Sequence, residues 1–122
     1  MRKLDKKLLS EVLNQKVTTI THQSKKEISY KFSNGSGKTH KSMNMHELTD
    51  MMIEFFEDRD YDFEFGPHGT DTLVQIFYND SLIAHFLHGK SRFVEYRIEA
   101  CEIAWEHVKG SDPDSIYEPR RL

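Results

Sequence analysis

The chain has 122 residues, of which 30% are charged and 37% hydrophobic, and a formal net charge of −3. That length and balance predict one globular domain that buries a core without disulfide or metal, and the lone cysteine, Cys101, excludes an internal disulfide. No apolar run approaches the roughly 20 residues of a membrane-spanning helix, and the charged opening Met1-Arg2-Lys3-Leu4-Asp5-Lys6-Lys7 lacks the apolar stretch of a signal peptide, so a cytoplasmic protein with no membrane association is expected.

Leu4, Leu8, Leu9, Val12 and Leu13 recur at helical spacing, with Lys3, Lys6, Lys7 and Glu11 on the solvent side, and predict a short amphipathic helix. Lys16 to Gln23 and Glu27 to Phe32 read as two strands, the second alternating Ile28, Tyr30 and Phe32 against Glu27, Ser29 and Lys31; His22 to Lys26 supplies the turn of a first hairpin. Residues 34–43, with Gly35 and Gly37 among polar side chains, predict a loop.

From Asn44, a good N-cap, Leu48, Met51, Met52, Phe55 and Phe56 predict a helix that ends near Asp58. Tyr61, Phe63 and Phe65 then alternate with Asp60, Asp62 and Glu64, the period of a strand with an aromatic inner face and an acidic outer one, and Gly66-Pro67-His68-Gly69 is expected to break it. Leu73 to Tyr78 and Leu82 to Leu87 read as a hairpin turned at Asn79-Asp80. Ser91 is a plausible N-cap for a last helix, in which Phe93, Val94, Arg97, Ile98, Cys101, Ala104, Trp105 and Val108 repeat every three or four positions up to Gly110. Trp105 is the candidate centre of the core.

These elements predict an α+β fold of order αββ-αβββα, an antiparallel sheet with helices packed on one face. The expected organisation is one domain over 1–110, comprising a helix and hairpin (1–33), a loop (34–43) and an αβββα module (44–109), followed by an extended tail (111–122). A single five-stranded sheet is favoured, because an isolated hairpin and short helix would have little core.

Charge is divided along the chain. Residues 1–41 hold ten Lys or Arg against three Asp or Glu, whereas residues 42–122 hold seven against seventeen. The densest acidic stretch is Glu54, Glu57, Asp58, Asp60, Asp62 and Glu64, interrupted among charged residues by Arg59 alone. Its bland reading is a solvated helix end and strand face. The sharper reading is a set of carboxylates that imitates a phosphate backbone and occupies the basic groove of a nucleic-acid-binding partner.

Other chemistries find little support. Gly35-Ser36-Gly37-Lys38-Thr39 has the Gly-Lys-Thr ending of a phosphate-binding loop, but the required first glycine falls at Phe32. His85 and His88 are three apart in or just after a predicted strand and so point to opposite faces; no metal site and no cofactor are expected. Cys101 sits on an apolar helix stripe, where a cysteine behaves as a small hydrophobe. No motif frames a nucleophilic serine, and a non-enzymatic protein is expected.

Helix, three strands and helix across 44–109, with Gly66-Pro67-His68 after the first strand and Gly89-Lys90-Ser91-Arg92 opening the last helix, resemble a double-stranded-RNA-binding domain. The resemblance implies a glycine-proline loop for the minor groove and a basic helix start for phosphates, of which Lys90 and Arg92 match part. The short, charged chain without a catalytic signature is also similar to small accessory proteins of phages and mobile elements, anti-CRISPR inhibitors among them.

The leading functional expectation is therefore an inhibitor-type protein that binds a basic partner, such as a host nucleic-acid-binding or defence protein, through Glu54, Glu57, Asp58, Asp60, Asp62 and Glu64. The alternative is a nucleic-acid-binding module whose phosphate-contacting residues are Lys25, Lys26, Lys31, Lys38, Lys41, Lys90 and Arg92. A third class is homo-oligomerisation through a sheet edge or through opposed acidic and basic faces.

Overall fold

A computed structural model of the chain describes residues 3–35, 37–89 and 93–110, Phe93 by its main chain alone. The predicted tail, the Ser91 N-cap, Lys90 and Arg92 lie outside the described residues. Three helices and two three-stranded antiparallel sheets make an α+β fold. The chain divides into two compact units, 1–52 and 53–122.

In the first unit, α1 (Lys6–Leu13) begins where the Asp5 carboxylate accepts hydrogen bonds from the Lys7 and Leu8 amides, and it ends at Asn14 in the left-handed conformation. Leu8 and Leu9 are buried on the helix, and so is Leu4 just before it. Three strands follow as a meander, β1 (Lys16–Gln23), β2 (Glu27–Asn34) and β3 (Gly37–Asn44), ordered β1-β2-β3. Val17, Ile20, Ile28 and Tyr30 are buried. The Tyr30 hydroxyl donates to Gln15 Oε1 at 3.0 Å, which satisfies a phenol that burial would otherwise penalise.

The predicted loop over 34–43 is thus corrected to the end of β2 and most of β3. Its residues are exposed or nearly so along the whole strand, and no apolar alternation marks it. Main-chain pairing with β2, continuous from Glu27 opposite Asn44 to Asn34 opposite Gly37, is what makes it a strand. Gly37, at φ 138°, takes a backbone conformation that side chains disfavour. The expected five-stranded sheet is corrected with it, because each half of the chain contributes its own three-stranded meander.

Helix α2 (Met45–Glu57) starts as expected, with Asn44 Oδ1 accepting from the His46 and Glu47 amides. Its first part, with Met45, Leu48, Thr49 and Met52 buried, belongs to the first unit, and its last residues belong to the second. In the second unit, β4 (Tyr61–His68), β5 (Asp71–Tyr78) and β6 (Ser81–Gly89) form the second meander. Asn79 and Asp80 both have positive φ, as a two-residue hairpin turn requires. The order of helix and meander therefore occurs twice, although the sequence carries no recognisable repeat.

Gly66-Pro67-His68 does not break β4. Pairing continues through Gly66 with Leu73, Pro67 with Thr72 and His68 with Asp71, and the turn falls at Gly69-Thr70. Proline is tolerated because β4 is an edge strand, with one side free of ladder hydrogen bonds. Tyr61, Phe63 and Phe65 face inward as predicted. Phe56 from the end of α2 stands edge-on to Tyr61 and Phe63.

Helix α3 (Phe93–Gly110) is buried on more than its predicted stripe. Val94, Ile98, Cys101, Ala104 and Trp105 are buried, but so is the row Tyr96, Ala100 and Ile103. That second row meets the sheet: Tyr96 lies against Phe65, and His107 lies against Tyr61 and Tyr78.

Candidate functional site

The six predicted carboxylates are all exposed. Glu54 and Glu57 stand on the last turns of α2, Asp58 follows it, Asp60 occupies the connection at φ 69°, and Asp62 and Glu64 alternate outward along β4. Phe56 and the start of β4 bring the helix acids and the strand acids into one region, because the Phe56 ring contacts Tyr61 and Phe63, whose neighbours are those strand acids.

Three features make this region a strongly negative surface. Among the described residues, none of the six carboxylates takes part in an ion pair. Glu54, Glu57 and Asp58 sit at the C-terminal end of a helix, where the macrodipole favours cations and the last turn of α2 holds no basic residue. Arg59, the one cation of the stretch, is folded back: its guanidinium lies 3.6 Å from the centre of the Phe55 ring and donates to the Phe55 carbonyl at 2.9 Å.

The outer face of the same sheet is partly apolar. Leu73 pairs with Leu87 and Phe77 with Leu82, and Leu82 and Leu87 are 48% and 40% exposed. Glu64, Gln75 and His85 form a row across the three strands. Carboxylates therefore border exposed leucines on one surface.

The predicted phosphate-contacting lysines are not all together. Lys25 and Lys26 lie in the turn between β1 and β2, and Lys41 pairs with Tyr30 on the inward-facing register of the first sheet. Lys31 and Lys38 do share a face, in the rows Thr19–Lys31–His40 and Lys16–Ser33–Lys38. Sequence reasoning missed Lys16 and His40 as members of that face, and only the strand register could have supplied them.

The described residues also place the other reactive groups singled out from the sequence. Cys101 is fully buried, and burial pushes its thiol well above the ordinary cysteine range. The Tyr61 hydroxyl is 2.5 Å from His107 Nδ1, and burial lowers the imidazole below its usual value, which favours the neutral ring as acceptor. His88 faces inward, 3.8 Å from Glu99, while His85 lies in the outward row, so the two point to opposite faces. Among the described residues no group of three His, Cys, Asp or Glu could hold a metal ion, and no helix is long and apolar enough to cross a membrane. Comparison of the chain with known family models, curated proteins and solved structures finds no match.

Proposed function

We propose that the protein works by binding a basic protein surface through the acidic ridge of Glu54, Glu57, Asp58, Asp60, Asp62 and Glu64, and that its partner is a nucleic-acid-binding protein whose groove it occupies. The observation that carries this reading is the ridge without ion pairs among the described residues, three of whose members, Glu54, Glu57 and Asp58, stand where the helix dipole disfavours them. A fold that retains local electrostatic cost without a compensating ion pair suggests selection for what the surface binds. In this reading the ridge takes the place of a phosphate backbone, steers encounter with the basic groove and competes with nucleic acid for it. Such action would suit an inhibitor of host defence of the kind that phages and mobile elements encode, anti-CRISPR proteins included.

The test is capture of partners from nuclease-treated host lysate over a salt series, comparing the unmodified chain with an Asp62→Lys, Glu64→Lys variant. Asp60→Asn is the appropriate change at residue 60, because asparagine tolerates the left-handed backbone that lysine would strain. A basic protein should be retained after nuclease treatment, released by salt and lost from the variant, and the purified chain should displace nucleic acid from it. Equal capture by the variant would sink the proposal.

A further inference from the structure

We propose that the first unit carries a second binding surface, for the phosphate backbone of double-stranded nucleic acid, formed by Lys3, Lys6 and Lys7 beside β1 and by Lys16, Lys31 and Lys38 on the outward rows of the sheet. Residues 1–52 hold ten Lys or Arg against five Asp or Glu, while residues 53–122 hold seven against fifteen, so the two units carry opposite charge.

The rows Lys16–Ser33–Lys38, Thr19–Lys31–His40 and His22–Ser29–Ser42 give one sheet face three ammonium groups, two imidazoles and several hydroxyls. Side chains within the face are tied to one another: Thr21 Oγ1 lies 3.2 Å from His40 Nε2, and the Ser29 and Ser42 hydroxyls are 2.7 Å apart. The carboxylate at its margin, Glu27, lies 3.8 Å from His22.

At the β1 side this face continues into a groove of about 530 Å³ lined by Lys3, Leu4, Asp5, Lys6, Lys7 and Thr18 to Ile20. Thr19 belongs to both, since it lines the groove and begins the row that contains Lys31. Lys6 Nζ donates to the Thr18 carbonyl at 3.3 Å, which places its charge on the groove wall. Asp5 is the one acid in the lining, and its carboxylate is engaged by the Lys7 and Leu8 amides at the start of α1.

The chemistry selects a phosphate backbone over bases. Tyr30 is fully buried and Phe32 pairs with Val17 and Thr39 on the opposite register, so the outward rows present no tyrosine, phenylalanine or tryptophan for bases to stack on. A surface of ammonium and hydroxyl groups favours the duplex, which carries two phosphates per ~3.4 Å of axis, over a single strand. Because the whole chain is −3, net charge does not draw it to a polyanion, and attraction must come from this local surface.

The experiment is fluorescence anisotropy of the full chain with labelled duplexes of two unrelated sequences and with one single strand. With six phosphate contacts, duplex affinity should fall roughly 10³-fold between about 50 and 200 mM salt. Lys31→Gln with Lys38→Gln, exposed positions where the fold is retained, should weaken both duplexes alike and make the logarithmic salt slope shallower by about 2. Asp62→Lys with Glu64→Lys should leave duplex binding at least as tight, which separates this surface from the acidic ridge. Absence of duplex binding at the lowest salt, tighter binding of the single strand, or a salt slope unchanged by the two lysine substitutions would overturn the inference.

Discussion

Truncating Phe56 tests whether the acidic ridge rests on a packed foundation. The side chain is fully buried, with ring centroids 5.1, 5.6 and 6.2 Å from Phe55, Tyr61 and Phe63, all near edge-on. A buried phenylalanine removes about 150–250 Å² from water. At roughly 25 cal/mol per Å², and with the β-carbon retained, Phe56→Ala should cost about 4 kcal/mol, within the ~3–5 kcal/mol typical of such truncations. Trp105 is the only tryptophan and lies in the same unit, so its fluorescence during urea unfolding reports on that unit. The urea midpoint should fall by about 2 M or more, given a slope of roughly 1–2 kcal/mol per M. Phe55→Ala, half-buried beneath Arg59, should cost less than half as much. A loss below about 1.5 kcal/mol for Phe56→Ala would refute the packing argument, and with it the reason for the helix acids and the strand acids to share one surface.

Two further outcomes follow from buried titratable groups. Burial lowers the His107 pKa, so as pH falls below the ordinary value of 6.5 the unfolded chain takes up the proton first. Stability should therefore be held above that value and decline as pH drops through the lowered folded pKa; thermal melts should show this, and His107→Gln should flatten the profile. Cys101, buried with a raised thiol pKa, should react with a thiol reagent only as fast as its unit opens, and rapid stoichiometric labelling of the native protein would contradict its placement.

Much of the fold was legible in the sequence. The apolar period and Asn44 define α2, alternation defines β2 and the start of β4, β-branched residues mark β1, and Asn79-Asp80 places the last hairpin turn. These signals work because each element buries one side of itself, and burial leaves a period of 3.6 or 2 in the side chains. The acidic ridge was legible too, since its members are close neighbours along the chain.

Tertiary structure decided the rest. Strand β3 left no apolar pattern, because its place depends on main-chain hydrogen bonds to β2 that are indifferent to its polar side chains. The extension of β4 through Pro67 depended on its being an edge strand, a property of the sheet rather than of the residue. The second buried row of α3, from Tyr96 to His107, became visible only where it met the aromatic side of β4 and β5. The basic face required strand register, interrupted by two irregularities between β1 and β2, to gather Lys16, Lys31 and Lys38 while turning Lys41 away. Side-chain periodicity determines what each segment forms, whereas register and pairing, set by the main chain and by partners distant in sequence, determine which residues stand together.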